Sequence, residues 1–341
     1  MESRDPIQRP PRYDGERFLT LNPGTADPPP NEKVRAFAPG SIGNLACGFD
    51  VMGLALQGPG DEVVATRVPG SGIRIIAIHG DDGRLSSVAG ENAAGAAAQA
   101  VLDEVGIDVG VELELWKGLP LSAGMGGSAA SAVAAAVAVD GLLGSRLPKD
   151  ILLHCALAGE AVAAGEGHTD NAAPSLLGGL VLVPAWEPLT TIELEVPREL
   201  VAVHVHPHIE IETQAARRVL GEKVRLEDAV AQWGNTAALV AGLFRQDWDL
   251  IARAVEDRIA EPVRSAAVPG FNEVRTAALN SGALASSLSG SGPSLFALCR
   301  GRERAEVVGE RMVRAFQEAA GLEADLLISG ARAPGARLLP V

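Results

Sequence analysis

A glycine-rich segment at residues 119–131, LPLSAGMGGSAAS, is the part of this chain best suited to chemistry. Ahead of it, residues 111–116 alternate apolar and acidic side chains, which predicts a half-buried strand. Behind it, the Ala-rich run at 129–143 predicts a helix. A loop between a strand and a helix start directs backbone N–H groups and the positive end of the helix dipole at one point. The segment therefore predicts a phosphate site that needs no charged side chain.

Neither of two common phosphate-loop motifs is fully satisfied by this segment. The P-loop requires a Gly-Lys dipeptide, which does not occur in the sequence. The Ala-ending dinucleotide fingerprint matches at Gly124, Gly126 and Ala129. It also needs an acidic residue at the end of a second parallel strand, whereas Asp140 falls inside the predicted helix. The sequence thus disfavours dinucleotide binding, and a purely structural glycine turn before a buried helix is the other alternative.

Two further segments are rich in Gly and Ser. Residues 38–50, APGSIGNLACGFD, place an amide at Asn44 and a carboxylate at Asp50 on one loop. Alone, that pattern is equally typical of an Asx-type turn. Residues 289–293, SGSGP, alone indicate a hairpin corner. Three such segments at the start, middle and end of one chain are far more specific than any one of them.

Composition argues against several classes of function. A formal net charge of −14 and a pI near 4.9 disfavour binding to nucleic acid or to an anionic membrane. Cys47, Cys155 and Cys299 are widely spaced and form no C-x-x-C, so neither a disulfide framework nor a zinc site is predicted. Lys117, just upstream of the glycine loop, is either a local donor to a phosphate or a solvated charge at a strand end.

Targeting and membrane-spanning segments are not apparent in the sequence. The first residues, MESRDP, contain no apolar stretch, and the apolar run at 129–139 is too short and too rich in Ala to span a bilayer. These features predict a soluble, cytoplasmic protein.

Apolar patterning divides the chain into three parts. Residues 1–32, rich in Pro and charge, predict a disordered extension. Residues 33–195 contain predicted strands at 34–37, 61–68, 73–78, 111–116, 180–184 and 192–196, and predicted helices at 92–105, 129–143 and 149–164. Residues 196–341 contain predicted strands at 200–206, 284–289, 294–299 and 324–328, and predicted helices at 212–220, 227–244, 248–256 and 303–320. These strand–helix pairs predict a ferredoxin-like sandwich in the last part and an α+β fold for the whole chain.

The three Gly/Ser segments together resemble the GHMP kinase superfamily. Its members carry a Pro-x-x-x-x-Asn-Leu-Gly-x-Gly-Phe-Asp motif, a Pro-x-x-x-Gly-Leu-Gly-Ser-Ser-Ala-Ala loop and a final Gly-Ser-Gly-Pro turn. The resemblance extends from about residue 34 to the end, with Ala46 and Gly127 standing where Gly and Ser are usual. It implies an ATP-binding ribosomal-protein-S5-like α/β domain at 33–195 and a ferredoxin-like α+β domain at 196–341.

Three further segments resemble one branch of that superfamily, the homoserine kinases. They are GE at 159–160 with GHTDNAAPSLLGG at 167–179, TQAAR at 213–217, and EPVR at 261–264 with PGF at 269–271. The resemblance implies an ATP-dependent phosphotransferase that converts L-homoserine to O-phospho-L-homoserine in threonine biosynthesis. The nearest alternative is a related kinase with another small acceptor such as mevalonate. A non-catalytic nucleotide-binding module is the other alternative, and retention of Ser128 and Glu160 disfavours it.

The resemblance also implies roles for individual residues. Ser128 and Glu160 would ligate Mg²⁺, for which a hydroxyl and a carboxylate are suitable oxygen donors. Arg217 and Arg264 would bind the α-carboxylate of the amino acid in bidentate pairs, and Asp50 would bind its ammonium group. The residues that would position the side-chain hydroxyl are Asn44, His168, Asn171 and Thr213. The residues that would wrap the triphosphate of ATP are Pro120, Leu121, Ser122, Ala123, Gly124, Met125, Gly126, Gly127, Ser128, Ala129 and Ala130.

Asn171 bears on the mechanism. The resemblance implies that mevalonate-type relatives have an Asp general base at the matching site, and an amide cannot take up a proton at neutral pH. We therefore hypothesise catalysis by positioning and charge neutralisation, with Asn171, Ser128 and Glu160 as the catalytic set. The resemblance further implies a homodimer, and Asn92 is a candidate for contact with adenine. Feedback by threonine and the role of residues 1–32 have no signal in the sequence.

Overall fold

The computed structural model describes residues 31–165, 167–185, 187–221 and 223–341. The extension predicted at residues 1–32 therefore lies almost wholly outside the described residues. The strands of the described part are β1 (Lys33–Gly43), β2 (Met52–Val68), β3 (Gly72–His79), β4 (Gly110–Trp116), β5 (Leu180–Leu182), β6 (Ile192–Leu194), β7 (Leu200–Pro207), β8 (Ala285–Leu288), β9 (Leu295–Arg300), β10 (Ala324–Gly330) and β11 (Arg337–Leu339). Its α-helices are α1 (Ala93–Val105), α2 (Gly127–Leu142), α3 (Lys149–Ala164), α4 (Thr169–Leu177), α5 (Thr213–Arg218), α6 (Leu226–Arg245), α7 (Trp248–Ala254), α8 (Glu261–Arg264), α9 (Phe271–Asn280) and α10 (Arg302–Ala320).

The first sheet has the strand order β11-β1-β2-β4-β3, with β5 paired to β2 and β6 paired to β5. Strands β3 and β4 are parallel and are joined through α1, whereas the other neighbours are antiparallel. The long β2 pairs with β4 over its second half and with β5 over its first residues. The loop at 44–51 joins the end of β1 to the start of β2, and Gly43 pairs with Gly53 beside it.

Helices α1, α2 and α3 pack against one another, and α2 also packs on β1 and β2. Helix α2 is buried along almost its whole length. Its small Ala and Gly side chains allow this burial, because neighbouring elements can approach its backbone closely. The first turn of α2, which follows the glycine loop, is thereby fixed against the core.

The second sheet has the order β10-β7-β9-β8 and is antiparallel. Helices α9 and α10 pack on it around a core that includes Val203, Leu295, Met312 and Phe316. The chain order of strand, helices, two strands, helix and strand is that of a ferredoxin-like sandwich. The predicted α+β class is thereby confirmed.

Four elements differ from the sequence-based prediction, which leaves their residues in loops. Helix α4 contains Pro174, which normally ends a helix, and α9 directly follows Pro269 and Gly270. Helix α8 and strand β11 have four and three residues, too few to show a period. The chain leaves the first sheet between β6 and β7, near residue 195, but β11 returns to pair with β1. The division into 33–195 and 196–341 stays a prediction. Among the described helices, none is long and apolar enough to cross a membrane.

Candidate active site

A cleft of about 590 Å³ is lined by the glycine loop, by the first residues of α2 and α4, and by the turn at 290–291. It collects most of the side chains predicted for the site. Those that line it are Asn44, Asp50, Pro120, Leu121, Ser122, Ala123, Gly124, Gly126, Gly127, Ser128, Glu160, His168, Asn171, Thr213 and Arg264. Met125, Ala129 and Ala130 are not among its lining residues, and their side chains are buried in the hydrophobic core. Arg217 is not among them either, but it contacts Asp50, which does line the cleft. Segments more than 100 residues apart in the sequence thus meet at one cleft.

The glycine loop has an unusual backbone. Ser122, Gly124 and Gly126 have φ angles of 54°, 71° and 66°, in the left-handed region. A Cβ atom on Gly126 would lie 2.3 Å from the Ser41 hydroxyl and 2.8 Å from the Asn171 carboxamide oxygen. Glycine is therefore required at 126 for both conformation and space. Gly126 is also the N-cap of α2 and provides no side-chain cap, so the first N–H groups of α2 are left for a ligand.

Serine hydroxyls hold the carbonyl groups of the same loop. Ser289 Oγ donates to the Gly124 carbonyl at 2.6 Å, and Ser294 Oγ donates to the Ala123 carbonyl at 2.5 Å. The backbone N–H of Ser41 donates to the Met125 carbonyl at 2.9 Å. With its carbonyl oxygens bonded on the protein side, the loop is held in one conformation from two distant parts of the chain. The 289–293 segment thus does more than connect two strands, because its Ser289 fixes the glycine loop.

A buried ion pair holds both ends of the glycine loop through hydrogen bonds to its backbone. Lys117 Nζ contacts the Asp61 carboxylate, and their side chains are only 2% and 1% exposed. Lys117 also donates to the Gly127 carbonyl and to Ser131 Oγ, both at 2.9 Å. Asp61 accepts from the N–H groups of Gly118 and Leu119 at 3.1 and 3.2 Å. The interpretation of Lys117 as a solvated charge is therefore wrong, because its ammonium group is buried in a hydrogen-bonded pair.

At the other end of the cleft, two arginines flank one aromatic ring. The guanidinium carbons of Arg217 and Arg264 lie 5.5 and 5.3 Å from the centroid of Phe49, within cation–π distance. Arg217 Nη1 contacts Asp50 Oδ2 at 2.6 Å. Burial lowers the pKa of Arg264, whose guanidinium is held by the carbonyls of Ala216 and Gly290. Two guanidinium groups thus lie beside the Phe49 ring, and that of Arg217 contacts the Asp50 carboxylate.

Asn44 braces this end of the cleft. Its Oδ1 accepts from the Asp50 N–H at 3.0 Å, and its Nδ2 donates to the Gly290 carbonyl at 3.1 Å. Its backbone N–H donates to Asp170 Oδ2 at 3.0 Å. Both ends of the carboxamide therefore bind backbone groups, so Asn44 fixes the loop that presents Asp50.

Asp170 and Asn171 form a polar pair in the first turn of α4. The Asn171 amide is held between Ser41 Oγ, which donates to its Oδ1 at 2.9 Å, and Asp170 Oδ1, which accepts from its Nδ2 at 3.2 Å. Asp170 is 2% exposed, and burial raises its pKa to about 6. Asp170 lies inside the motif at 167–179 and has no predicted role. Its only signal is a charged residue before an apolar run.

Glu160 projects from α3 beside this pair. It is 2% exposed, and its Oε2 lies 3.5 Å from His168 Nδ1, whose pKa is raised by that contact. Its Oε1 has no hydrogen-bond partner among the described residues. An unpartnered buried carboxylate oxygen is costly unless a cation binds it. Within the described residues, no group of three or more His, Cys, Asp or Glu side chains could hold a metal. The magnesium site at Ser128 and Glu160 stays a prediction.

The remaining wall of the cleft is formed ahead of α1. Asn92 caps that helix, accepting from the Ala94 N–H and donating to the Ser86 carbonyl, both at 2.9 Å. Arg84 makes a bidentate pair with Glu210 at 2.6 and 2.7 Å. Asn92 therefore shapes this wall through its caps, and its proposed contact with adenine stays a prediction.

The buried Asp170 predicts a pH-dependent stability. Since its pKa is raised from 3.8 to about 6, the native state binds more protons than the unfolded state between pH 4 and 6. The free energy of unfolding must then fall as pH rises through that window. We expect Asp170→Asn to remove this fall, so that the mutant gains on the order of 2–3 kcal/mol relative to wild type between pH 4 and 7. Urea unfolding at several pH values measures the difference, and a difference independent of pH would contradict a raised pKa.

Comparisons with known proteins find related chains and domain families. Residues 92–179 match the family described as GHMP kinases N terminal domain, and residues 239–318 match GHMP kinases C terminal. The homoserine kinase of Chlorobaculum tepidum is 44% identical over 317 residues, covering 90% of this chain and 98% of the relative. The homoserine kinase of Xylella fastidiosa is 41% identical over 324 residues, covering 95% and 99%.

Two solved structures have a fold similar to that of this chain. That of homoserine kinase from Cytophaga hutchinsonii superposes with a TM-score of 0.87 at 44% identity, covering 91% of this chain and 98% of that one. That of L. major mevalonate kinase in complex with R-mevalonate has a TM-score of 0.67 at 15% identity, covering 90% and 100%. The second likeness concerns the fold alone.

Proposed function

We propose a function from one premise: the chain belongs to the homoserine kinases of the GHMP kinase family. It is an ATP-dependent phosphotransferase that phosphorylates homoserine in threonine biosynthesis. The family, fold and reaction predicted from the sequence are thereby confirmed. The roles of individual residues, the magnesium ion, the homodimer and the cytoplasmic location remain proposals.

The observation that carries the substrate assignment is the charge pattern beside Phe49. Homoserine is a zwitterion, so a site that selects it must recognise a carboxylate and an ammonium group together. Arg217 and Arg264 provide the guanidinium groups for the carboxylate, and Asp50 provides the carboxylate for the ammonium group. In the protein alone, Asp50 and Arg217 neutralise each other at 2.6 Å. Bound homoserine would replace this ion pair. Its ammonium group would contact Asp50, and its carboxylate would contact Arg217. His168 and Thr213, at the same cleft, would orient the side chain that carries the hydroxyl.

The triphosphate would bind at the glycine loop, residues 120–130. Because Lys117 is paired with Asp61, the donors available there are backbone N–H groups and the hydroxyls of Ser122 and Ser128. The start of α2 adds the positive end of its dipole. A chain of net charge −14 thereby binds a polyanion through local donors.

The transfer itself would depend on positioning. Asn171 would hold the acceptor hydroxyl in line with the γ-phosphoryl group, and Ser41 and Asp170 fix its amide. The amide takes up no proton at neutral pH. As the bond to phosphorus forms and the bond from phosphorus to the ADP oxygen breaks, the hydroxyl would pass its proton to an oxygen of the transferred phosphoryl group, without a side-chain base. Mg²⁺, when bound by Ser128 and Glu160, would supply neutralisation of the phosphate charge.

The proposal is tested by ADP release from Mg-ATP with L-homoserine, mevalonate, shikimate or L-threonine at equal concentration. Turnover with homoserine alone is the expected result. Turnover with mevalonate in preference would retain the kinase fold and contradict the arginine assignment. ATP binding without turnover on any of the four would favour a regulatory module.

A further inference from the structure

Strand β7 buries two histidines that the proposed mechanism does not use. Residues 201–207, VAVHVHP, alternate apolar and polar side chains, a pattern typical of a strand with one solvated face. His204 and His206 are nevertheless only 1% and 7% exposed. Val203 and Val205 pack in the core on the other face of the strand. Both faces of β7 are therefore buried, and the polar face needs partners inside the protein.

His206 is connected to the glycine loop through one serine. Its Nδ1 lies 3.1 Å from Ser294 Oγ, and Ser294 Oγ donates to the Ala123 carbonyl at 2.5 Å. Ser294 is fully buried and lies directly before β9, which pairs with β7. The three groups form a continuous chain of hydrogen bonds from β7 to the loop.

The hydrogen of the Ser294 hydroxyl sets the direction of this chain. A hydroxyl has one hydrogen, and here it is used at the Ala123 carbonyl. Ser294 Oγ can then only accept from His206, so Nδ1 must carry the hydrogen of the neutral imidazole. With that hydrogen on Nε2 instead, Ser294 would turn its hydroxyl towards His206 and release the Ala123 carbonyl. The tautomer of His206 thus decides whether the loop is held.

Both imidazoles are neutral at neutral pH. Burial lowers the pKa of His206, although the Asp325 and Glu210 carboxylates act in the opposite direction and the neighbouring His208 adds to the lowering. Burial also lowers the pKa of His204 to about 3, against a hydrogen bond with the backbone of Gly124. The face of β7 beside the loop therefore carries no charge, and the direction of the chain depends on the tautomer.

We propose that His206, in its Nδ1–H tautomer, is a positioning residue that aims the Gly124 N–H at the triphosphate through Ser294 and Ala123. The peptide between Ala123 and Gly124 is trans, so its C=O and N–H point in opposite directions. A carbonyl held on Ser294 turns the N–H away from Ser294, and Gly124 lines the cleft. The inference rests on the binding of the triphosphate at the glycine loop, as proposed above.

The loop needs this external support because Gly124 supplies none of its own. Its φ is 71°, and glycine restricts rotation of the adjoining peptide less than any other residue. A Cβ atom at this position would lie 2.6 Å from the Ser289 carbonyl, so a stiffer residue does not fit. A rotated peptide would present its carbonyl oxygen to the phosphate in place of the N–H. Consecutive hydrogen bonds also polarise one another, which makes the Gly124 N–H a stronger donor.

The tautomer is tested first, by ¹⁵N–¹H correlation NMR of the histidine rings in the full chain at neutral pH. Loss of signals in His206→Asn identifies the resonances of His206. We expect the Nδ1–H pattern, and the Nε2–H pattern would overturn the proposal. The measurement needs neither nucleotide nor acceptor, so its result is separate from the proposed function.

His206→Asn and His206→Leu form a matched pair for the role in binding. The two new side chains are similar in shape, but only Asn has a donor near the position of Nδ1. Calorimetric titration with Mg-ATP is expected to give a Kd about tenfold higher for His206→Leu and within about twofold of wild type for His206→Asn. KM for homoserine should stay unchanged in both, because the hydrogen-bonded chain ends at the glycine loop.

The outcomes of this titration separate the two proposals. An equal loss of affinity in the Asn and Leu variants would indicate packing alone and overturn the role of His206, while homoserine turnover by wild type would leave the proposed function intact. A wild-type protein that bound no Mg-ATP would overturn the proposed function and this role together.

A double-mutant cycle tests whether His206 acts through Ser294. In a Ser294→Ala background, His206→Leu should cause no further loss of affinity for Mg-ATP. In a Ser289→Ala background, which keeps Ser294, it should still cost about tenfold. His208→Leu is the control, since His208 is exposed and contacts Asp325, and it should leave the Kd unchanged. Additive losses from His206→Leu and Ser294→Ala would overturn the proposal.

Discussion

Replacing Arg217 with Ala is expected to lower kcat/KM for homoserine by about 10²–10³-fold. Arg217 lies beside Asp50 at 2.6 Å and over the ring of Phe49 at 5.5 Å. Truncating it removes a charge-assisted donor for the substrate carboxylate and leaves Asp50 without its partner. Losses of this kind amount to roughly 2–5 kcal/mol, and 1.4 kcal/mol corresponds to a factor of ten. The loss should be found mostly in KM for homoserine, with KM for ATP little changed.

Arg218 provides the control, because it is adjacent in α5 but exposed. Arg218→Ala should change kcat/KM by less than about twofold, as is usual for an exposed charge. Acceptor analogues make the test specific to the carboxylate. Wild type should prefer homoserine strongly over 3-aminopropan-1-ol, which lacks that group, and Arg217→Ala should lose most of the preference. An unchanged preference in the variant would show that Arg217 does not bind the carboxylate.

The features that the sequence predicts well are those whose cause is local. The strand, glycine loop and helix at 111–143 follow one another directly, and their geometry depends on short-range conformation and on small side chains. Most of the site residues predicted from the family resemblance also meet at one cleft, because their motifs carry that information from related chains.

The features that the sequence does not reveal depend on tertiary register. Asp61 supports the loop only because β2 pairs with β4 so that Glu62 lies opposite Trp116, which brings the preceding residue beside Lys117. No pattern within β2 identifies that register. The hydrogen bond from Asn44 Nδ2 to the Gly290 carbonyl also depends on the tertiary fold, because the two residues are 246 positions apart in the sequence. Polar residues at such positions resemble ordinary surface residues until the chain is folded.

Glu160 and Asp61 are expected to respond in opposite directions to the same chemical change. Both are buried carboxylates, but Asp61 has Lys117, Ser131 and two backbone N–H groups as partners, whereas Glu160 Oε1 has none among the described residues. Asp61→Asn should lower the free energy of unfolding by about 3–5 kcal/mol, because it leaves the Lys117 charge buried without a counter-charge. Glu160→Gln should raise the free energy of unfolding by about 1 kcal/mol without nucleotide or metal, because it removes a buried, half-satisfied charge.

Urea unfolding at pH 9 measures both effects. The stabilised Glu160→Gln variant should at the same time lose kcat by about 10²–10³-fold, the size expected for loss of a group that stabilises charge in the transition state. The Mg²⁺ concentration that the variant needs for half-maximal activity should rise, since one proposed ligand of the ion is gone. A purely structural Glu160 would instead lose stability on substitution and keep its Mg²⁺ dependence. Greater stability together with lower activity would show that the unpartnered Glu160 carboxylate serves the reaction at a cost in stability.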